Sequence, residues 1–207
     1  MPELSSLLLF LGATFALNVT PGPDMLYVLA RASGEGVRAG VVSTLGISTG
    51  TLVHLVAVAL GLASLLAAVP LAYDVVRYAG AAYLIYLGLR ALLTRGPASA
   101  TRLPRARLGQ IYRQGVVTNV LNPKVALFFA AFLPQFADPA RGPVLGQLVL
   151  LGLLFNISGT TVLLAVAVAA GRAGAHLRER LGPAGTMRRV TGAIFLLLGL
   201  RLAFQRG

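Results

Sequence analysis

The sequence contains no cysteine, which excludes disulfide bonds, thiolate chemistry and every metal site that is built on cysteine. It has two histidines, far apart in the chain, which argues against a zinc site built on histidine. Acidic residues are also scarce, six against 18 lysines and arginines, so oxygen ligands for a cation are few. We therefore expect no bound metal ion and no cofactor.

Charged residues of both signs are scarce: 12% of the 207 residues are charged, whereas 57% are hydrophobic. A soluble domain has about a quarter charged residues, so this composition predicts an integral membrane protein. The net charge of +12 would suggest nucleic acid as the partner of a soluble protein. Here the arginines fall mostly in short loops between apolar segments, where they orient the protein and contact anionic lipids. We expect membrane lipids as partners and no nucleic acid.

Six apolar segments are each longer than the roughly 18 to 20 residues that are needed to cross the hydrocarbon of a membrane. They lie at about 4–30, 40–69, 72–93, 113–136, 144–170 and 187–204. Because Glu3 is the only charge before the first segment, we interpret that segment as a retained span and not as a signal peptide. The sequence therefore predicts an all-α polytopic membrane protein with six transmembrane helices.

Arginines mark one side of this predicted bundle. The loops after the first, third and fifth segments are rich in arginine, whereas the two alternate loops hold only Arg141. The positive-inside rule therefore places the three arginine-rich loops in the cytoplasm and both termini outside. The arginines of these loops are Arg31, Arg38, Arg90, Arg95, Arg102, Arg105, Arg107, Arg113, Arg172, Arg178, Arg180, Arg188 and Arg189.

The stretch at about 94–112 is the only part of the sequence that resembles a linker. It divides a single transmembrane domain, residues 1–207, into halves of about 1–93 and 113–207. Because each half has an odd number of predicted spans, the two halves must run through the membrane in opposite directions. This is the geometry of an inverted-topology repeat, which many transporters have.

Two of the predicted spans are interrupted. Residues 20–24, Thr-Pro-Gly-Pro-Asp, break the first span, and residues 122–124, Asn-Pro-Lys, break the fourth. Proline removes a backbone donor and pushes the preceding residue out of the helical conformation. In lipid, freed backbone groups and charged side chains persist only where protein or water receives them. Interrupted helices at corresponding positions of two halves indicate the binding site of a transporter.

Asp24 and Lys124 each follow a proline and lie within a span, where a lone charge costs about 2.5–3.5 kcal/mol or more. One interpretation is a structural ion pair between the two side chains, and another is that they bind the two ends of a zwitterion. A third is that Asp24 caps the beginning of a half-helix, where acidic residues are favourable. Half-helices that begin after Pro23 and Pro123 present free N–H groups to a carboxylate, and unwound carbonyls accept an ammonium group. An amino acid suits such a site. The predicted substrate-binding residues are Asn18, Thr20, Pro21, Gly22, Pro23, Asp24, Asn119, Asn122, Pro123 and Lys124.

His54 lies near the middle of the second predicted span, and histidine titrates near physiological pH. Together with Asp24 it is a candidate for carrying a coupled proton, although a hydrogen bond to a neighbouring helix explains it equally well. The fifth span carries a group of uncharged polar residues that we interpret as interhelical hydrogen bonding and not as a ligand site. These residues are Asn156, Ser158, Thr160 and Thr161.

Glycines at Gly46 and Gly50 form a GxxxG pattern in the second predicted span. Small residues at this spacing allow two membrane helices to approach closely. The pattern therefore predicts either close packing inside the chain or the face of a homodimer.

Short motifs occur along the chain in a specific order. The first span contains residues 20–24, and the second contains the glycines Gly46 and Gly50 with His54. They are followed by residues 79–88 in the third span and by residues 119–124 and 132–136 in the fourth. This order resembles the lysine exporter / homoserine-threonine resistance (LysE/RhtB) family. The resemblance implies an exporter of amino acids or their derivatives in the bacterial cytoplasmic membrane, driven by the proton gradient. It also implies that the two breaks line the translocation path.

Three other classes of function fit the sequence less well. An exporter of a metal ion or other cation would need more acids or sulfur ligands. A channel or a non-transporting scaffold has no need of paired breaks and charges within its spans. An intramembrane hydrolase would need a nucleophile with a positioned base, but His54 is the only histidine in a span and no second acid accompanies Asp24. We predict a proton-coupled exporter of a neutral or basic amino acid, and no enzyme.

Overall fold

The computed structural model of the chain describes residues 3–68 and 105–180, together with isolated positions between 78 and 93 and at 196 and 200. The predicted spans at about 72–93 and 187–204, and most of the linker at about 94–112, lie outside the described residues. Every regular element in the two described ranges is helical, in agreement with the predicted all-α fold.

Six α-helices form the described part of the chain. They are α1 (Leu4–Val19), α2 (Pro23–Glu35), α3 (Val37–Ala68), α4 (Leu108–Val120), α5 (Pro123–Leu127) and α6 (Val144–Arg180). A π-helical turn (Phe128–Phe132) and two 3₁₀ turns (Leu133–Phe136 and Pro139–Arg141) connect α5 to α6. Only Gly36 separates α2 from α3, and its φ of +89° lies in a region that glycine adopts readily.

Two of these helices are long and apolar enough to cross a membrane by themselves. These stretches are Val37–Gly61 in α3 and Val144–Arg172 in α6. The pair α1 and α2 passes the same test as one span bent by 49°, and α4 with Pro123–Phe136 passes it with a bend of 47°. The described residues therefore contain two to four candidate spans.

Both bent spans break at the prolines from which the sequence predicts an interruption. α1 ends at Val19 and α2 begins at Pro23, whereas α4 ends at Val120 and α5 begins at Pro123. Proline suits the first position of a helix, because the backbone N–H that it lacks would have no intrahelical partner there and its φ is already helical. The two breaks thus have the same local cause.

The helices extend further than the apolar segments that predict them. α2 continues to Glu35, α4 begins at Leu108 within the predicted linker, and α6 continues to Arg180. Backbone hydrogen bonds extend a helix through polar residues, whereas an apolar run marks only the part that suits lipid. Several arginines that the sequence analysis assigned to loops therefore lie in helices. They are Arg31, Arg38, Arg113, Arg172, Arg178 and Arg180.

Glycines allow α3 and α4 to pack backbone against backbone. A Cβ atom on Gly46 would lie 2.3 Å from the carbonyl oxygen of Tyr112, and one on Gly115 would lie 2.7 Å from that of Ser43. A Cβ on Gly50 would lie 2.7 Å from the Cβ of Asn119. The GxxxG pattern therefore faces α4 of the same chain, and of its two predicted roles the structure shows close packing.

Two apolar clusters lie at different levels of the bundle. The aromatic cluster combines α1, the middle of α3, α5 with the turns that follow it and the first part of α6, and it includes Phe10, Phe128, Phe129, Phe132, Leu148 and Phe155. The small-residue cluster combines α2, α3 and the later part of α6, and it contains Val28, Ala32, Ile47, Leu163, Ala167 and Ala170. Along α6, residues 156–160 fall between the members of the two clusters. A layer of polar side chains lies at this level.

Candidate functional site

A partly open cavity occupies this polar layer. It contains about 460 Å³ of space that no atom fills, including the part at its mouth. Both broken spans and both long helices, α3 and α6, contribute to its wall. The lining residues are Asn18, Thr20, Asp24, Met25, Ile47, Ser48, Thr51, Asn119, Lys124, Val125, Phe155, Asn156, Gly159, Thr160 and Leu163.

Lys124 connects the second break to the first. Its Nζ donates to the carbonyl oxygens of Leu17, over 3.1 Å, and Thr20, over 3.0 Å. The last carbonyls of a helix have no intrahelical partner and carry partial negative charge, so a cation at the end of α1 is favourable. The side chain passes Gly22 so closely that a Cβ there would lie 3.1 Å from Nζ. The first break is therefore shaped around this ammonium group.

Asp24 makes the reciprocal contact from the first break to the second. Its side chain is buried in the first turn of α2, and its Oδ2 accepts a hydrogen bond of 2.8 Å from Nδ2 of Asn119. The other oxygen, Oδ1, is buried and has no hydrogen-bond partner among the described residues. A buried carboxylate oxygen without a donor is costly, so it is well suited to receive a cationic group.

Asp24 and Lys124 form no ion pair with each other in the structure. Each one contacts uncharged groups of the opposite break, Asn119 for the acid and two main-chain carbonyls for the base. The structural ion pair, which was one of the alternatives left open by the sequence, is thus not the observed arrangement. Both charges line the cavity, and they are the only charged side chains that the described residues contribute to its wall.

Asn119 also contacts α3. His54 Nε2 lies 3.0 Å from the carbonyl oxygen of Asn119, and Thr51 Oγ1 donates to Asn119 Oδ1 over 3.4 Å. Because a carbonyl only accepts, Nε2 of His54 carries the hydrogen. His54 does not line the cavity itself. A continuous set of contacts therefore runs from Asp24 through Asn119 to His54.

The remaining predicted residues have mainly local roles. Asn122 is the N-cap of α5, and its Oδ1 accepts from the backbone N–H of Lys124 over 3.0 Å. Asn18 lines the cavity and donates to Ser158 of α6 over 2.8 Å, and Thr20 donates to the carbonyl of Ala16. Asn122 lies outside the cavity wall, as do the prolines and glycine of the breaks. These last residues are Pro21, Gly22, Pro23 and Pro123.

The wall opposite the breaks contains residues that the sequence analysis did not assign to the site. Ser48 and Thr51 lie three positions apart in α3, and Asn156 and Thr160 lie four apart in α6. Such spacings place side chains on one face of a helix. This periodicity of polar residues within apolar spans is the signal that could have identified them.

A second buried polar cluster joins α2 to α4 beyond the small-residue cluster. Arg31, only 3% exposed, pairs with Glu35 and donates to Gln114 Oε1 over 2.7 Å. Tyr27 donates to the carbonyl of Ile111, and Glu35 accepts from the backbone N–H of Ala106 over 3.0 Å. Arg31 is thus a buried interhelical contact and not one of the loop arginines among which the sequence analysis placed it.

Broken apolar helices around a polar cavity are typical of the class of membrane transporters. A family model described as LysE type translocator matches residues 15–206 of the chain. The chain belongs to the LysE family. Family membership and the apolar helices together support a multi-pass protein of the bacterial inner membrane.

Proteins of Salmonella and Pseudomonas have sequences similar to this chain. A homoserine/homoserine lactone efflux protein of Salmonella typhimurium is 31% identical over 193 residues, which cover 92% of each chain. An uncharacterized membrane protein of Pseudomonas aeruginosa is 35% identical, over 93% of this chain and 92% of the relative. A leucine efflux protein of Salmonella choleraesuis is 36% identical over 61% of this chain and 60% of the relative. No solved structure matches the chain.

Proposed function

We propose that the chain is a secondary active exporter of amino acids or their derivatives. The observation that carries the proposal is the cavity, whose wall holds one carboxylate and one ammonium group that do not pair with each other. An α-amino acid carries the two complementary charges on neighbouring atoms. The family and the relatives that are named as efflux proteins for homoserine, homoserine lactone and leucine support this class of substrate.

The contacts of the two charged groups favour one orientation of the substrate. Asp24 would bind the α-ammonium group through Oδ1, which has no donor among the described residues, whereas Oδ2 already binds Asn119; because Oδ1 is fully buried, this requires the carboxylate to turn toward the cavity. Lys124 has three N–H donors and uses two of them on carbonyls of α1, which leaves one for the α-carboxylate. Hydrogen bonds in which both partners are charged are shorter and stronger than neutral ones. Asn18, Thr20 and Asn119 supply uncharged polar groups in the same wall.

The two breaks also support a mechanism for alternating access. Each is a bend of similar size, 49° and 47°, between a helix and a half-helix that begins at proline. In our proposal, halves of about 1–93 and 113–207 form one domain of six spans and rock against each other around the cavity. Asp24 and Lys124 each bind the opposite break, so the substrate site spans the two halves. The arginine-rich loops lie in the cytoplasm and both termini outside.

Inward movement of protons would drive export in this proposal. Asp24 and His54 are the two candidates to carry the proton, and Asn119 contacts both of them. A substrate ammonium group and a proton would then compete for the same carboxylate. Such competition is a simple physical basis for antiport, because binding of one releases the other.

Transport by purified protein in liposomes tests the proposal. The uptake of labelled amino acids should be saturable and should respond to an imposed pH gradient. Asp24→Asn and Lys124→Gln should each abolish it, whereas Asp138→Asn, which changes an exposed carboxylate, should not. If the wild-type protein takes up no amino acid under either condition, the proposed function is wrong. If both site variants transport normally, the assignment of the site is wrong.

A further inference from the structure

The part of the cavity wall that α3 and α6 form, here named the α3–α6 wall, has no role in the proposed binding of the substrate main chain. The charged groups of Asp24 and Lys124 come from the two breaks, whereas this wall supplies the side chains of Ser48, Asn156 and Thr160. If the breaks bind the ammonium and carboxylate groups of the substrate, its side chain contacts other parts of the cavity. The α3–α6 wall is therefore a candidate to determine which side chain is accepted.

Two hydroxyl groups contact the side-chain oxygen of Asn156. Ser48 Oγ donates to its Oδ1 over 3.0 Å, and Thr160 Oγ1 donates to the same oxygen over 3.5 Å. An amide oxygen has two lone pairs, so these bonds use its capacity as an acceptor. The Nδ2 group has no hydrogen-bond partner among the described residues and is not among their fully buried unpaired groups. Two N–H donors of a lining residue thus remain for a molecule in the cavity.

The described residues of α3 and α6 that line the cavity include no charged residue, and apolar side chains lie beside the polar ones. Ile47, Phe155 and Leu163 line the cavity beside Asn156. A lysine or arginine side chain placed here would be a buried cation without a partner, which is strongly unfavourable. An uncharged side chain with an oxygen acceptor would satisfy the free amide donors while its carbon atoms contact the apolar residues.

The structure distinguishes Asn156 from the neighbouring polar residues of α6. Ser158 accepts a hydrogen bond from Asn18 of α1, which is interhelical hydrogen bonding of the kind the sequence predicts for the whole group. Thr161 is exposed and donates to the carbonyl of Ile157 in its own helix. Neither of them lines the cavity, whereas Asn156 and Thr160 do.

We propose that Asn156, positioned by Ser48 and Thr160, is the specificity-determining residue of the cavity. It favours an uncharged substrate side chain with a hydrogen-bond acceptor, such as a hydroxyl group, over an apolar or a basic one. This inference rests on the proposed amino-acid export and narrows the neutral or basic substrates that the sequence predicts.

Competition between two isosteric amino acids tests the inference. Threonine and valine differ by a hydroxyl in place of a methyl group, so the ratio of their uptake rates at low concentration reports recognition of the side chain alone. In proteoliposomes, Asn156→Leu should lower the threonine-to-valine ratio by roughly fivefold to tenfold, the effect of one lost hydrogen bond. Asn156→Asp should raise the uptake of lysine relative to threonine, because it places a carboxylate beside the substrate side chain.

Two further variants keep the test decisive if the Asn156 variants fail to fold. Thr160→Val and Ser48→Ala each remove one hydroxyl that orients the amide, so each should lower the same ratio by a smaller factor. Thr161→Val is the matched control on the exposed face of α6, and it should leave the ratio unchanged.

The outcomes separate this inference from the proposed function. An unchanged ratio in folded Asn156 variants, or an equal loss of threonine and valine uptake, would overturn the role of Asn156 while leaving amino-acid export intact. A wild-type protein that takes up neither amino acid, nor any other in the labelled panel, would instead contradict the proposed function itself.

Discussion

The side-chain amide of Asn119 donates a 2.8 Å hydrogen bond to Asp24, which lies 95 residues earlier in the chain. The bond crosses from the second broken span to the first, in the same layer in which Lys124 reaches back to the carbonyls of α1. Each break thus supplies the polar group that the other lacks. These bonds satisfy part of the polar groups of each interruption, which an apolar environment requires, whereas Oδ1 of Asp24 and Nδ2 of Asn122 have no partner among the described residues.

Removal of the Asn119 amide should destabilise the fold. Asn119→Leu would leave Oδ2 of buried Asp24 without its donor, so we expect the free energy of unfolding to fall by about 1–3 kcal/mol. Chemical denaturation in detergent micelles measures this change. Thr118→Val, at the neighbouring position of α4, is the control and should unfold as the wild type does. Equal stability of the two variants would show that Asp24 does not depend on this bond.

The position of Lys124 depends on the absence of a side chain at Gly22. In Gly22→Ala the new Cβ would lie 3.1 Å from Nζ and 3.3 Å from Cε of Lys124, so the end of this flexible side chain must shift by a few tenths of an ångström. We expect amino-acid uptake to fall by about twofold to fivefold, less than the effect of one lost charge-assisted hydrogen bond, with little loss of stability. Gly12→Ala in α1, where a Cβ meets nothing within 4 Å, is the matched control. Full uptake by Gly22→Ala would argue against the observed position of Lys124.

The breaks were predictable from sequence, whereas the partners of their charges were not. Proline acts on its own turn of helix, so Pro23 and Pro123 determine where α2 and α5 begin whatever surrounds them. The partners depend on how the two halves pack. Asp24 and Lys124 are the obvious pair in the sequence, but in the structure each contacts the opposite backbone or amide.

The spacing of Asn156 and Thr160 places them on one face of α6, but the sequence does not predict which face of the helix meets the cavity. Asn156 and Ser158 are both uncharged polar residues in an apolar span, and composition gives no reason to separate them. Packing against α1 and α3 determines that Ser158 accepts a hydrogen bond from Asn18, whereas Asn156 lines the cavity. The same holds for Arg31, which the charge pattern places in a loop and the structure buries against Gln114.

His54 should be needed for coupling to the proton gradient more than for binding. In His54→Gln the side-chain amide retains an N–H donor for the carbonyl of Asn119, but it has no ring nitrogen that could bind a proton. We expect uptake driven by a pH gradient to fall sharply, whereas exchange of labelled for unlabelled amino acid, which moves no net proton, persists. Parallel measurements in the same liposomes compare the two. If His54→Gln shows gradient-driven uptake at the wild-type rate, His54 does not carry the proton and Asp24 is the remaining candidate.

The cluster around Arg31 should control access to the cavity from the side that we predict to be cytoplasmic. Gln114 accepts from Arg31 over 2.7 Å, so it helps to hold α2 against α4 and thereby one broken span against the other. The single hydroxyl hydrogen of Tyr27 is shared between the carbonyl of Ile111 and Gln114. Gln114→Leu removes the bond from Arg31, and we expect α2 and α4 to separate more often. Because the chain has no cysteine, a single Ser48→Cys substitution gives a unique thiol in the cavity wall.

Maleimide labelling of that thiol measures how often the cavity opens. In oriented vesicles with the reagent added on the cytoplasmic side, the thiol of the Ser48→Cys/Gln114→Leu protein should be labelled several-fold faster than the thiol of the Ser48→Cys protein. Gln110→Leu changes an exposed glutamine one turn earlier in α4 and should have no effect. If labelling is equally fast in all three proteins, the cluster contributes stability without limiting access. Faster labelling from the opposite side alone would instead contradict the orientation that the arginine-rich loops predict.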